Sequence, residues 1–366
     1  MKYSIKIPVN VFQESECIKN HKEIFKECGK KAFIVTGKHS ARACGALNDI
    51  EEVLKIQDIE YEIFDEIENN PSLETVSRAS DRAKKFGADF VIGIGGGSPL
   101  DASKAIAVIA AGNIEPIEIF KMEFKKALPI IAIPTTSGTG SEVTPYSVLL
   151  RKDLKTKVSF GNKYTFAKYA LLDSKYTESL RIDTTIDTAI DAFTHSFEGY
   201  LSNRATPITD AFAIEGIKNF ADSIKQLKSY YISEDIREKL MYASMIGGIV
   251  IAHTGVTIVH GMGYCYTYFK GIAHGKANGF LTKNYIDYIY DVKKEKIDNV
   301  LNILGCKDVL EFESLIEKLI GKAPKITDEE IEMYTSLTML QTGSIKNTAR
   351  ELSKNDIKSL WASMNK

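Results

Sequence analysis

The feature that most constrains this chain is a change of pattern near its middle. Up to about residue 178, short continuous apolar runs alternate with stretches of helical period. Residues 32–36 read Ala-Phe-Ile-Val-Thr, 90–94 read Phe-Val-Ile-Gly-Ile, and 128–133 form a third run closed by Pro134. Residues 61–64 alternate, and Leu73, Val76, Ala79, Ala83 and Phe86 recur at helical spacing. Strands that are apolar on both faces and alternate with helices argue for a parallel sheet covered on both sides. After about residue 180 the strand pattern stops. The 3.6-residue spacing predicts helices over 189–201, 210–227, 236–253, 284–304, 309–320, 328–340 and 355–364. Thr209-Asp210, Ser233 and Thr327 read as caps. The expected architecture is an α/β N-terminal domain with a parallel sheet (1–178) plus an all-α C-terminal domain (179–366).

Charge narrows the partners. Forty-seven basic against forty-eight acidic residues leave a formal charge of −1, so nothing in the balance draws the chain to nucleic acid or an anionic membrane. Apolar runs such as 105–111 fall far short of the ~20 residues that span a bilayer. The N-terminal residues lack the apolar stretch of a signal peptide. Five scattered cysteines with no C-x-x-C pair predict reduced thiols and a cytoplasmic protein.

Two glycine-bearing loops follow predicted strands. Residues 93–104, Gly-Ile-Gly-Gly-Gly-Ser-Pro-Leu-Asp-Ala-Ser-Lys, run from a strand into a helix. Backbone N–H groups there can approach a phosphate closely, and a helix N-terminus adds partial positive charge. Ser98 stands at the third glycine of G-x-G-x-x-G, and the G-K-[ST] of a Walker loop is missing. Residues 134–142, Pro-Thr-Thr-Ser-Gly-Thr-Gly-Ser-Glu, follow the next buried strand. Two such loops at strand ends point to a dinucleotide. The first βα turn, Thr36-Gly37-Lys38-His39-Ser40, offers donors and no carboxylate for a ribose 2′-OH. That turn favours a 2′-phosphate, hence NADP(H) over NAD(H).

Four of the six histidines lie in the helical half. Asp191 and His195 stand four apart on one helix face, at metal-ligand spacing, with Asp187 one turn earlier competing for the role. Glu198 follows three later as a supporting carboxylate. His260 and His274 stand among glycines, His274 in what reads as a turn. One Asp with three His suits Fe(II), Zn(II) or Mn(II) and lacks the thiolates of a closed structural zinc site.

These residues resemble a known family. Gly95-Gly96-Gly97-Ser98-x-x-Asp101, Pro134-Thr135-Thr136-x-Gly138-Thr139-Gly140-Ser141-Glu142, Asp191-Ala192-x-x-His195-x-x-Glu198-x-Tyr200, Val259-His260 and His274-Gly275-x-Ala277-Asn278 occur in the order of the iron-containing (group III) alcohol dehydrogenases. The resemblance implies a dehydroquinate-synthase-like fold, a Rossmann-like domain followed by a helical metal-binding domain. It implies a divalent metal, usually iron, on Asp191, His195, His260 and His274, and so chooses Asp191 over Asp187. It places the pyrophosphate at Gly96, Gly97 and Ser98, with Asp101 and Thr139 in the same motifs. Thr135, Thr136 and Ser137 would line the cofactor, Asn70 would stand near its phosphates, and Lys157 and Leu172 beside its adenosine half. The turn at Gly37 looks like the NADP-preferring branch acting on 1,3-propanediol or butanol. The implied reaction is a reversible hydride transfer between the nicotinamide and a short primary alcohol, diol or aldehyde, by a homo-oligomer.

One position departs from the family. Many members read His-x-x-x-His at the third ligand, the second histidine moving protons; Tyr264 stands there instead. A phenol with a reference pKa of about 10 is a poor base at neutral pH. His253, seven before His260, is the other candidate for proton transfer. The alternatives are a glycerol-type polyol dehydrogenase, a dehydroquinate-synthase-like lyase, and a catalytically silent cofactor-binding protein. The lyase would need a basic cluster for its substrate, and none reads out of the helical half.

Overall fold

The computed structural model describes residues 3–112 and 114–365. It divides into two compact units, one of Lys6–Leu180 and one of the chain from Arg181 onward together with the residues before Lys6.

The first unit carries a six-stranded sheet in the order β1-β8-β5-β4-β2-β3, every neighbouring pair parallel. In chain order its elements begin with β1 (Asn10–Gln13), α1 (Cys17–Asn20), α2 (Glu23–Lys26), β2 (Lys31–Thr36) and α3 (Ser40–Ala43). There follow α4 (Ala46–Ile56), β3 (Glu60–Phe64), α5 (Leu73–Phe86), β4 (Phe90–Gly95) and α6 (Gly97–Ala111). The unit ends with β5 (Ile130–Pro134), a two-stranded antiparallel hairpin of β6 (Ser147–Arg151) and β7 (Thr156–Phe160), and β8 (Tyr169–Leu172). The central strands β4 and β5 are buried at every residue, as continuous apolar runs require when helices cover both faces. Chain order moves from β2 outward to β3, then back past β2 to β4 and on to β5. The reversal lies between β2 and β4, and ligands of open parallel sheets bind at the strand carboxyl ends beside such a reversal. Register brings those ends level: Thr36 pairs with Ile94, and Gly95 with Pro134.

From Arg181 onward every described element is a helix. They are α7 (Ile182–Leu201), α8 (Pro207–Ser229), α9 (Glu234–Thr254), α10 (Ile258–Lys270), α11 (His274–Ile303), α12 (Val309–Ile320), α13 (Asp328–Thr338), α14 (Thr342–Asn347) and α15 (Lys354–Ser363). Helix α7 is buried along most of its length. Phe193 stacks on Phe197 and Phe220 at 5.4 and 4.8 Å between ring centroids, so one face of α7 is core. Among the described residues no single helix is long and apolar enough to cross a membrane.

Three expectations need correction. The cap of α8 is Thr206, in a capping box with Thr209 and with Pro207 at the first helical position, one turn before the Thr209-Asp210 cap read from sequence. Helix α10 lies where no helix was expected, and α11 begins at His274, ten residues before the predicted start. His274 is therefore the first residue of a helix and His260 is inside one. Glycines near both read as breakers, but their role is close packing. A Cβ on Gly275 would lie 1.9 Å from the Asp187 carbonyl oxygen and 2.8 Å from the Asp191 Cβ, so only glycine lets α11 start against α7.

Candidate metal and cofactor sites

Helix α7 sets the first part of a group of side chains that could hold a metal ion. Asp191, His195 and Glu198 fall at i, i+4 and i+7, which the helical period places on one face. All three are buried, at 3%, 4% and 0% exposure. Helix α10 adds His260, 2% exposed, whose ring stacks on that of His195 at 4.8 Å. The ligand atoms of Asp191, His195 and His260 all lie within 4.8 Å of one another, and His260 Nε2 is 3.8 Å from Asp191 Oδ1.

Glu198 stands behind this group. The His260 Nδ1–H donates to Glu198 Oε1. The Thr257 N–H and hydroxyl both donate to Glu198 Oε2, at 2.7 and 2.5 Å. With Nδ1 protonated, Nε2 carries the lone pair that faces Asp191. Asp191 is held in turn by the Asn278 side-chain N–H, 3.1 Å from Oδ1. Among the described residues no lysine or arginine forms an ion pair with Asp191. A carboxylate this deeply buried calls for a compensating positive charge. The donor set, one carboxylate and neutral imidazole nitrogens, fits a divalent first-row cation.

His274 stands beside this group but outside the 4.8 Å cluster. Its ring is 5.1 Å from that of His260, and its Nε2 is 3.4 Å from Asn278 Nδ2. Tyr264 stacks on it at 5.3 Å with a 19° interplanar angle. Asp187 is also outside the cluster; burial pushes its carboxyl up to about 6. His253 donates its Nδ1–H to the Ile249 carbonyl, 2.7 Å away and one turn back along α9.

In the first unit the two glycine loops meet. A Cβ on Gly97 would lie 2.7 Å from Thr139 Cγ2, so the absence of a side chain there is what lets the loops touch. The Thr135 N–H donates to the Gly95 carbonyl at 2.9 Å, and Thr136 flanks Gly96. Asn70, with φ of 56°, donates its backbone N–H to Ser98 Oγ at 3.1 Å. That bond draws the Asn-Pro turn to the start of α6. The Ser137 hydroxyl is buried and has no hydrogen-bond partner among the described residues, so it is a polar group that a ligand could satisfy.

Asp101 faces inward. Its Oδ1 accepts the Ser141 hydroxyl at 2.6 Å and its Oδ2 the Val148 N–H at 2.9 Å. Lys104, also buried, donates to Ser141 Oγ at 2.7 Å and to the Tyr146 carbonyl at 2.5 Å. Both carboxylate oxygens of Asp101 thus brace the loops that surround it. Burial holds Lys104 down to about 8 and pushes Glu142 up to about 7. Lys157 is buried on β7, and Leu172 ends β8 opposite Gln13.

The turn after β2 opens on a concave pocket lined by Thr36, Gly37, Lys38, Arg42, Ile63 and Asp65. Lys38, His39 and Ser40 are exposed. Sequence reasoning missed its two other charged members, Arg42 and Asp65. Arg42 is bound to Glu51 and to Asn48 Oδ1. Its position two residues beyond Ser40 was the available signal. Asp65 follows β3, and only the β2–β3 pairing brings it alongside.

Comparison with known proteins follows the same division. Residues 8–174 match the iron-containing alcohol dehydrogenase domain, and residues 185–364 match the C-terminal domain of the Fe-containing alcohol dehydrogenase family. The sulfoacetaldehyde reductase of Bilophila wadsworthia (strain 3_1_6) is 35% identical over 298 residues, 79% of this chain and 76% of that one. The NADPH-dependent butanol dehydrogenase of Clostridium saccharobutylicum is 29% identical over 323 residues, 84% of this chain and 80% of that one. The crystal structure of an iron-containing alcohol dehydrogenase from Thermotoga maritima is similar with a TM-score of 0.92 at 35% identity, covering 99% of both chains.

Proposed function

The chain belongs to the iron-containing alcohol dehydrogenase family, and from that membership we propose that it interconverts a short primary alcohol or diol and its aldehyde with a nicotinamide cofactor. The observation that carries the reading is the buried group of Asp191, His195 and His260, with Glu198 behind His260. His274 is the fourth ligand in this proposal. A divalent cation held there, Fe(II) by family, would supply Lewis acidity at the substrate oxygen. The chain's own part is to fix its donors beforehand. Glu198 sets the tautomer of His260, and Asn278 fixes the aim of Asp191.

The cofactor would lie along the loops after β2, β4 and β5. Backbone N–H groups at Gly96, Gly97 and Ser98, opening α6, would take the pyrophosphate. Thr135, Thr136, Ser137 and Thr139 would line it, Asn70 beside them through its bond to Ser98. In this proposal Lys157 and Leu172 flank the adenosine half. Lys38 and Arg42 line the pocket at Gly37 and support NADP(H) over NAD(H), as in the similar NADPH-dependent butanol dehydrogenase. Proton exchange falls to Tyr264 or His253. With Nδ1–H committed to Ile249, the basic nitrogen of His253 is Nε2. The five cysteines, none in a disulfide, support a reducing compartment, the cytoplasm. Family resemblance supports a homo-oligomer, which sedimentation would check.

The test is an anaerobic screen with Fe(II), Zn(II) or Mn(II), both cofactors and a panel of short aldehydes. Substituting His260→Ala should remove bound metal and aldehyde reduction together. Full activity in a metal-free His260→Ala protein would overturn the assignment.

A further inference from the structure

A second cluster of metal-ligating side chains lies at the edge of the sheet, on the segment that follows β1. Glu14 leaves the strand with its N–H bonded to the Leu172 carbonyl at 3.1 Å. Cys17 opens the single-turn helix α1, wholly buried, its thiol donating to the Phe12 carbonyl at 3.4 Å. His21 follows that turn, four residues after Cys17. Its ring stacks on Phe12 at 3.8 Å, and its Nε2 is 2.7 Å from Glu14 Oε1. One ligand atom from each of Glu14, Cys17 and His21 lies within 4.8 Å of the other two.

We propose that Glu14, Cys17 and His21 form a second divalent-cation site, a carboxylate–thiolate–imidazole set suited to Zn(II). Sulfur, nitrogen and oxygen donors together are the borderline-soft set that zinc prefers, distinct from the thiolate-free group at Asp191. Cys17 is inside, His21 half-buried and Glu14 exposed, so the fourth position opens to water. Tetrahedral ligands about 2.0 Å from zinc lie about 3.3 Å apart, so His21 and Glu14 need part by only about half an ångström from their present hydrogen bond. On binding, the Zn–S bond forms, the thiol proton leaves to solvent, and the His21–Glu14 hydrogen bond is exchanged for two bonds to the ion. The site would join the residue that follows β1 to both ends of the turn of helix α1.

Anaerobic titration of the metal-stripped full chain with Co(II) tests this. The expected result is two equivalents bound per chain, one of them bringing a near-ultraviolet sulfur-to-cobalt charge-transfer band. The Asp191 group has no sulfur and cannot produce that band, so the band tests the Cys17 site whether or not the oxidoreductase reading holds, while the second equivalent rests on that reading. Cys17→Ser should abolish the band and reduce the stoichiometry to one. His21→Gln, at a half-exposed position that spares the core, should weaken the band-forming equivalent by about tenfold or more. A wild-type chain without the band overturns the site, as does a band that survives Cys17→Ser or keeps its affinity in His21→Gln.

Discussion

Glu198 and His260 are joined through a single buried proton: the imidazole Nδ1–H donates to Oε1 while Thr257 saturates Oε2 with two donors. A histidine held in this way presents only Nε2 to a cation, and a carboxylate behind it raises its basicity. Replacing Glu198 by Gln keeps the shape and removes the charge. Metal affinity at the Asp191 group should fall by about 10–100-fold, read by titration against a metal-buffering chelator. Wild-type affinity in that variant would remove Glu198 from the supporting role.

Tyr264 lies flat on His274, 5.3 Å between ring centroids. Tyr264→Phe preserves that stacking and removes only the hydroxyl. Turnover should change by no more than about a few-fold if the ring serves packing alone. A fall of about 100-fold or more, with the pH profile displaced, would assign the phenol to proton handling.

A Cβ on Gly37 would meet the Ile67 carbonyl oxygen at 3.4 Å and the Ser40 hydroxyl at 3.8 Å, both ordinary contacts, so a side chain fits there. Gly37→Asp adds a carboxylate to a pocket that already holds Asp65 beside Lys38 and Arg42. The NADPH/NADH ratio of kcat/KM should fall by about tenfold, equivalent to about 1.4 kcal/mol. An unchanged ratio would place the 2′-phosphate elsewhere.

Glu142 is pushed by burial up to about 7 from an ordinary value of 4.5. Between those two pH values the folded chain keeps a proton that the unfolded chain has lost. The stabilising contribution is therefore complete below about pH 4.5 and is lost as pH rises through about 7. Glu142→Gln fixes the neutral form. Its stability advantage over wild type should widen from about pH 4.5 to about pH 7 and then level, reaching about 3 kcal/mol. Urea midpoints of both proteins at pH 5 and 8 measure the gap, and a gap that does not change with pH would mean Glu142 ionises normally.

The division into a parallel sheet and a helical half was legible because each pattern is local. The runs at Phe33 and Ile92 are apolar in every direction, and only a strand covered on both faces accepts that. The spacing of Asp191, His195 and Glu198 was legible for a similar reason, since one helix face collects them whatever surrounds it. Helix α10 was not legible. Gly261 and Gly263 interrupt the apolar period there, and glycine is an unfavourable residue in a helix interior by propensity. Asp65 was missed because turn composition says nothing of which strand lies alongside, whereas Arg42 stood only two residues beyond the turn.

By itself, then, the chain's order of residues determined the kinds of element, the faces they present and the strand ends that carry glycine loops. These follow from periods and turn chemistry written within a dozen neighbours. Only the tertiary structure decided that Glu198 meets His260 across two helices and that Asp101 turns inward to brace the loops. It alone placed Tyr264 of α10 against His274 of α11. Such meetings depend on how distant segments pack and close their loops, and no local repeat encodes which side chain will be found on the other side.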